Sequence, residues 1–290
     1  MSEYVIIVGA PRSGTNMLRD LLTSAPGLGT WDCDEVNLLW KHGNLDVPHD
    51  EIGIDRATPD LSAFMRRAFD RVGRRTRSEI VVEKTCAVSL RVPFTRALFP
   101  DARYIFIRRD GIDATASTMQ RWNAPFELGY TLRKARYVPP LDLPRHAAAL
   151  VRKRVTQRLR GEVRQDESDL RVGTWWGPRP HDHRRLQREH PLEELAFIQW
   201  QRCVEQAAAG LDGLPDDRLI EVVYEDFVTD PRAGTARLLD FLERPQLLAD
   251  IDTGAVSARS VGKGRQRLGA EAVARLEKLG GETLAKYGRA

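Results

Sequence analysis

Seven residues near the start of the chain, Gly9-Ala10-Pro11-Arg12-Ser13-Gly14-Thr15, have the composition to hold an anion. Gly9 and Gly14 let the backbone approach a ligand closely. The loop amides and the positive end of a following helix can then converge on one phosphate. Gly9 and Gly14 keep the spacing of loops that bind nucleoside triphosphates, Gly-x-x-x-x-Gly. However, Thr15 stands where such loops carry lysine, and Asn16 where they carry the magnesium-binding hydroxyl. The positive charge lies inside the loop, at Arg12. These residues predict a phosphate cradle without the magnesium-triphosphate apparatus; the plainer alternative is a strand-to-helix turn.

Other residues of chemical interest are spread along the chain. Asp32, Asp34 and Glu35 are acids close after the loop, where they should repel an anion, so one of them is a candidate general base; exposed loop acids are the ordinary alternative. Lys84 follows the apolar run Ile80-Val81-Val82. It either faces a ligand at a strand end or snorkels to solvent there. Arg108-Arg109-Asp110-Gly111 follows a third apolar run, with Ser117 inside the next helical stretch. A magnesium-holding strand would end in aspartate, whereas two guanidinium groups suit a second phosphate better.

The elements needed to position these groups are legible. Tyr4–Val8, Ile80–Val82, Ala102–Ile107 and Leu219–Tyr224 read as buried strands, each short, apolar and β-branched. Helical periodicity is expected after the loop from Asn16 to Leu22, then over 61–72, 88–99, 112–121, 195–209, 231–241 and 270–286. Strands alternating with helices predict an α/β fold. Residues 43–60 read as a surface loop. Ser257–Leu268 contains Val261-Gly262-Lys263-Gly264-Arg265, a basic segment that either closes over an anion or connects two helices.

From about residue 123 to 194 the alternation stops, and the segment reads as an insert. Val151, Val155 and Leu159 are spaced for an amphipathic helix over 151–160 with a basic face. That face is either solvated or meets an acidic substrate, a partner or a membrane surface. Trp175 and Trp176 are either local packing or a platform for a ring-bearing acceptor. His181-Asp182-His183 is too sparse to predict a metal.

The 290 residues suffice for one large domain or two small ones; 42% are hydrophobic and 30% charged, enough for a core and a solvated surface. A net charge of +4 suits an anionic ligand and does not call for nucleic acid. Cys33, Cys86 and Cys203 form neither a disulfide framework nor a metal spacing. With a first strand entered by residue 4 and no long apolar span, a cytoplasmic chain without a signal peptide is expected.

Taken in order, these motifs resemble those of sulfotransferases that use 3′-phosphoadenosine 5′-phosphosulfate (PAPS). Pro11-Arg12-Ser13-Gly14-Thr15 is similar to that family's 5′-phosphosulfate loop, and Arg109-Asp110-Gly111 with Ser117 to its 3′-phosphate motif. Val223-Tyr224-Glu225-Asp226 is similar to its late strand, and Val261-Gly262-Lys263-Gly264-Arg265 to its closing loop. The wording looks most similar to the tyrosylprotein branch and its bacterial relatives, although that branch has Glu-x-Arg where this chain has Glu35-Val36-Asn37. The resemblance implies one P-loop-type three-layer α/β/α domain over 1–290, with a central parallel sheet and a helical acceptor-binding insert at about 123–194. It implies PAPS as sulfuryl donor, no metal, and a small-molecule or glycan acceptor hydroxyl. Pro11, Arg12, Ser13, Gly14, Thr15, Asn16, Arg109, Ser117, Tyr224, Gly262, Lys263 and Arg265 would bind the donor. Arg12 and Lys84 would take up charge on the leaving phosphate, and Glu35 would be the base, with Asp34 and His42 as alternatives. The competing expectations are a P-loop small-molecule kinase and a nucleotide-binding module without catalysis.

Overall fold

The computed structural model describes residues 2–122, 136–144 and 175–288. The expected basic helix over 151–160 lies outside the described residues, as does most of the insert.

The described chain runs β1 (Glu3–Val8), α1 (Thr15–Leu22), β2 (Leu28–Gly29), α2 (Asn37–Trp40), α3 (Pro59–Thr76), β3 (Ile80–Lys84), α4 (Val92–Leu98), β4 (Arg103–Arg108) and α5 (Gly111–Trp122). After the insert come α6 (His183–Glu189), α7 (Leu192–Leu211), β5 (Leu219–Val223), α8 (Tyr224–Thr229), α9 (Pro231–Phe241), α10 (Gly264–Leu268) and α11 (Ala270–Tyr287). The five strands form one parallel sheet in the order β2-β3-β1-β4-β5.

Strand alternation divides the core. Tyr4, Ile6 and Val8 point to one face with Val81, Tyr104 and Phe106; Val5 and Ile7 point to the other with Val82, Ile105 and Ile107. On the first face α3 supplies Leu61, Met65, Phe69 and Val72, one helical stripe, beside Phe94 and Leu98 of α4. On the second, Leu18, Leu21 and Leu22 of α1 and Leu238 and Leu239 of α9 cover the sheet. The result is a three-layer α/β/α sandwich. Two helix starts follow directly from sequence: Thr58 caps α3 through the Leu61 amide, and Asp230 caps α9 through the Ala233 amide, each with proline at the first helical position.

Several expectations need correction. Strand β2 was not foreseen, because its two residues sit in the turn-rich stretch Ser24–Gly29; they pair with Ile80 and Val81. The helix expected over 88–99 is split into a 3-10 turn, Cys86–Leu90, and α4. Pro93 has no N–H to carry the hydrogen-bond ladder across that point. The last strand stops at Val223, and Tyr224 opens α8. The loop over 43–60 is not purely a surface one: Asn44, Asp50 and Ile52 are buried.

The chain leaves β1 for β2 and β3 on one side of it, then crosses over to β4 and β5 on the other, so the strand order reverses at β1, and at such a switch point open α/β folds hold ligands beyond the strands' carboxyl ends. Gly9, Lys84, Arg109 and Tyr224 all come off that edge.

Candidate active site

The loop after β1 turns sharply, with Arg12 at φ 66° and Gly14 at φ 89°. Gly14 immediately precedes α1, and the left-handed backbone there favours glycine. A Cβ at this position would also lie 2.5 Å from Cδ2 of Tyr224, so the tyrosine ring closes one wall of the loop. Ser13 Oγ is buried and has no hydrogen-bond partner among the described residues, which fits a group that meets an anionic ligand. Asn16 Oδ1 is likewise unpartnered, and as an acceptor it suits a hydroxyl rather than an anion. Arg12 donates from Nε to Ser117 Oγ at 3.0 Å. Its guanidinium therefore leans toward α5. Partial desolvation, then the neighbouring charges of Arg109 and Arg121, press it below the usual arginine range, and it stays protonated.

On the β3 side, Lys84 Nζ donates to Glu35 Oε1 at 3.1 Å, and the Cys86 amide donates to the same oxygen at 3.3 Å. Burial alone would lower the lysine's pKa, but Glu35 outweighs it and the ammonium is held above its ordinary range. Cys86 Sγ also lies 3.6 Å from Thr15 Oγ1, so the end of the phosphate loop, the lysine and the carboxylate are contiguous. The alternative bases are engaged elsewhere. The backbone carbonyl of Asp34 accepts from Arg19 at 2.9 Å, with its carboxylate 3.7 Å from the same guanidinium. His42 pairs with Asp142 at 2.8 Å and stacks on Phe64.

The β4 and β5 ends form a second basic region. Arg109 is buried, stacks 4.5 Å from the Tyr224 ring centroid, and donates to the carbonyls of Arg12 (2.9 Å) and Ser260 (3.0 Å). Its Nε is buried without a hydrogen-bond partner among the described residues. Tyr224 Oη and Ser260 Oγ are 2.9 Å apart. Gly262 and Gly264 donate their amides to the Asp113 carboxylate at 2.6 and 2.5 Å. Lys263 is exposed, and Arg265 pairs with Glu277 on α11 at 2.6 Å.

The fold thus brings together Glu35 with Lys84, and Arg12 with Ser117, Arg109, Tyr224 and the 260–264 segment. It turns Arg265 toward Glu277. Two residues were missed from sequence. Asp113 holds the closing segment although it sits next to a motif already singled out; its acidity in the first turn of α5 was the available signal. Arg19, buried on α1, holds the carbonyls of Cys33 and Asp34 under the segment that carries Glu35. Trp175 proves to be packing: it is buried against Trp122 and His183 and donates to Pro178. His181 and His183 go to different partners, Glu51 and the Pro180 carbonyl.

Chemically, the edge offers two cationic regions on either side of an amide-lined loop, with a carboxylate against the first. That can bind a ligand with two separated anionic groups and accept a proton beside one of them.

The sequence matches the profile of the sulfotransferase family over residues 4–153 and 179–248. Among solved structures, the sulfotransferase domain from the Synechococcus PCC 7002 olefin synthase is 16% identical, with a TM-score of 0.51 over 96% of this chain and 94% of that one; this likeness concerns the fold. The sulfotransferase domain from the Curacin biosynthetic pathway is 17% identical, with a TM-score of 0.49 over 90% of this chain and 83% of that one. A sulfotransferase from Alicyclobacillus acidocaldarius is also 17% identical, with a TM-score of 0.46 over 96% of each chain. A search of curated protein sequences gives no match.

Proposed function

The chain belongs to the sulfotransferase family, and we propose that it moves the sulfuryl group of PAPS to the hydroxyl of a sugar, phenol, lipid or small natural product. The observation that carries this reading is the pair of cationic regions on one sheet edge, Lys84 on one side of the loop and Arg12, Arg109 and Ser117 on the other. A donor with a 5′-phosphosulfate and a 3′-phosphate needs two such regions. The unpartnered Ser13 Oγ between them fits the same ligand.

PAPS supplies an activated sulfuryl group whose leaving phosphate gains charge as the S–O bond breaks. Pro11 to Asn16 would hold the phosphosulfate through backbone amides and Ser13. Arg12, Ser117 and the 260–264 segment would hold the 3′-phosphate, with Arg109 bracing both. Lys84 is charged and set against Glu35, so it can stabilise negative charge at the leaving side. Glu35 accepts hydrogen bonds from Lys84 and Cys86 through one oxygen, Oε1. We assign it the acceptor's proton. Among the candidate bases it is the one in contact with the lysine.

The direct test is a screen of labelled PAPS against acceptor extracts, with mass spectrometry of the product. The product nucleotide, 3′-phosphoadenosine 5′-phosphate, is expected to bind far more tightly than AMP, with no change on adding EDTA. Equal affinity for the two nucleotides would overturn the second phosphate region; magnesium-dependent triphosphate binding would favour a kinase. Glu35→Gln is expected to reduce turnover by about 10²–10⁴-fold, the range for general-base catalysis, with nucleotide affinity kept.

A further inference from the structure

The segment bearing Glu35 lies between β2 and α2, outside any helix or strand, yet one tripeptide grips it at three points. Lys84 Nζ and the Cys86 amide hold the Glu35 carboxylate. Thr85, between them, holds the backbone: its Oγ1 accepts the Val36 amide at 3.1 Å. The same hydroxyl donates its proton to Glu83 Oε1 at 2.5 Å. Glu83 and Thr85 are both 0% exposed. A threonine hydroxyl has one proton, so giving it to Glu83 leaves its lone pairs for Val36 and fixes the rotor. One residue further, buried Arg91 donates to Asn37 Oδ1 at 2.5 Å, and Asp50 accepts from Asn37 Nδ2 at 3.1 Å.

We propose that Thr85 is a positioning residue for Glu35: by anchoring the Val36 amide to the end of β3, it sets where the carboxylate stands beside Lys84. The inference rests on the reading of Glu35 as the base. Thr85 is buried, so its effect on the reaction runs through Glu35. Without the hydroxyl, the Val36 N–H would be a buried donor without an acceptor, a state the chain relieves by shifting. The shift would carry Glu35 with it.

The test compares Thr85→Val, which keeps the shape and removes the hydroxyl, with Thr85→Ser, which keeps the hydroxyl. Each is made alone and combined with Glu35→Gln. Turnover of PAPS is measured with the acceptor extract that supports the wild type, alongside affinity for 3′-phosphoadenosine 5′-phosphate and deuterium exchange of the 33–37 segment. Thr85→Val is expected to lose about 100-fold in turnover, the scale of a displacement near 1 Å at a reacting group. Nucleotide affinity should hold, exchange over 33–37 should quicken, and Thr85→Ser should restore both turnover and protection. On the Glu35→Gln background, Thr85→Val should cost little more, because the group it positions has already lost its basicity.

Wild-type turnover in Thr85→Val, equal damage from serine and valine, or full additivity with Glu35→Gln would overturn the proposal. If Thr85→Val does not fold, Thr85→Ala carries the same comparison. Loss of turnover in Glu35→Gln with none in Thr85→Val removes the positioning role alone. Full turnover in Glu35→Gln removes the base assignment and this inference with it.

Discussion

Arg12 and Arg109 carry the same guanidinium into opposite settings. Arg12 is exposed at the mouth of the loop and donates to the side chain of Ser117. Arg109 is 5% exposed and spends two of its nitrogens on backbone carbonyls, those of Arg12 and Ser260. Truncating them should therefore separate binding from stability. Arg12→Ala is expected to weaken 3′-phosphoadenosine 5′-phosphate binding by about 1.5–3 kcal/mol, the worth of a charge-assisted hydrogen bond, with the melting temperature unchanged. Arg109→Ala is expected to weaken binding and also to destabilise the fold by on the order of 3 kcal/mol, because two carbonyls lose a buried donor. Calorimetry and thermal unfolding of both variants check this; an Arg109→Ala protein with wild-type melting would make that arginine a ligand group only. Residue type and place beside apolar runs made both arginines legible as anion-site candidates. Their division of labour was not, because the carbonyls that Arg109 holds lie 97 and 151 positions away in the chain.

Among elements, the strands were legible as short apolar, β-branched runs such as β1 and β4, and the long helices by their period, as in the apolar stripe on α3. The closing segment has no such period. Its position comes from Asp113 in the first turn of α5, which takes the amides of Gly262 and Gly264, and from how closely the backbones approach. A Cβ on Gly264 would stand 2.6 Å from the Ile112 carbonyl oxygen and 2.7 Å from the Asp113 amide nitrogen. Both are backbone atoms in a packed helix and cannot step aside cheaply. Gly264→Ala should push the segment off α5, loosening the contacts around Ser260 and the Tyr224 hydroxyl. The expected result is a smaller preference for 3′-phosphoadenosine 5′-phosphate over AMP, by about tenfold for the loss of one good hydrogen bond, with AMP affinity itself kept. Equal weakening of both nucleotides would place the fault in the loop after β1 instead.

At the scale of the whole molecule, an α/β sheet could be expected from four apolar runs, whereas the charges inside it could not. Asp50 falls in a stretch that reads as a surface loop, and nothing local in the sequence marks Glu83 or Arg91 as buried charges. In the fold, Glu83 lies on β3, between β2 and β1, and is fully buried, with Thr85 donating to one of its oxygens. Burial raises its pKa from 4.5 to about 7, against the opposing pull of Thr85, Trp40, Lys84 and Arg91. The sign of the pH effect follows. Between about pH 4.5 and 7 the folded protein keeps a proton on Glu83 that the unfolded chain has lost, so ν_N exceeds ν_U and stability falls as pH rises. Below that window both states are protonated, and above it neither is, so the dependence flattens at each end. A shift of this size corresponds to at most about 3 kcal/mol. Glu83→Gln removes the titration, so urea unfolding at pH 5, 6, 7 and 8 should show the variant gaining on the wild type up to about pH 7, then running parallel. A difference that stays constant from pH 5 to 8 would mean that Glu83 is ionised throughout, stabilised by Lys84 and Arg91 rather than neutralised by burial.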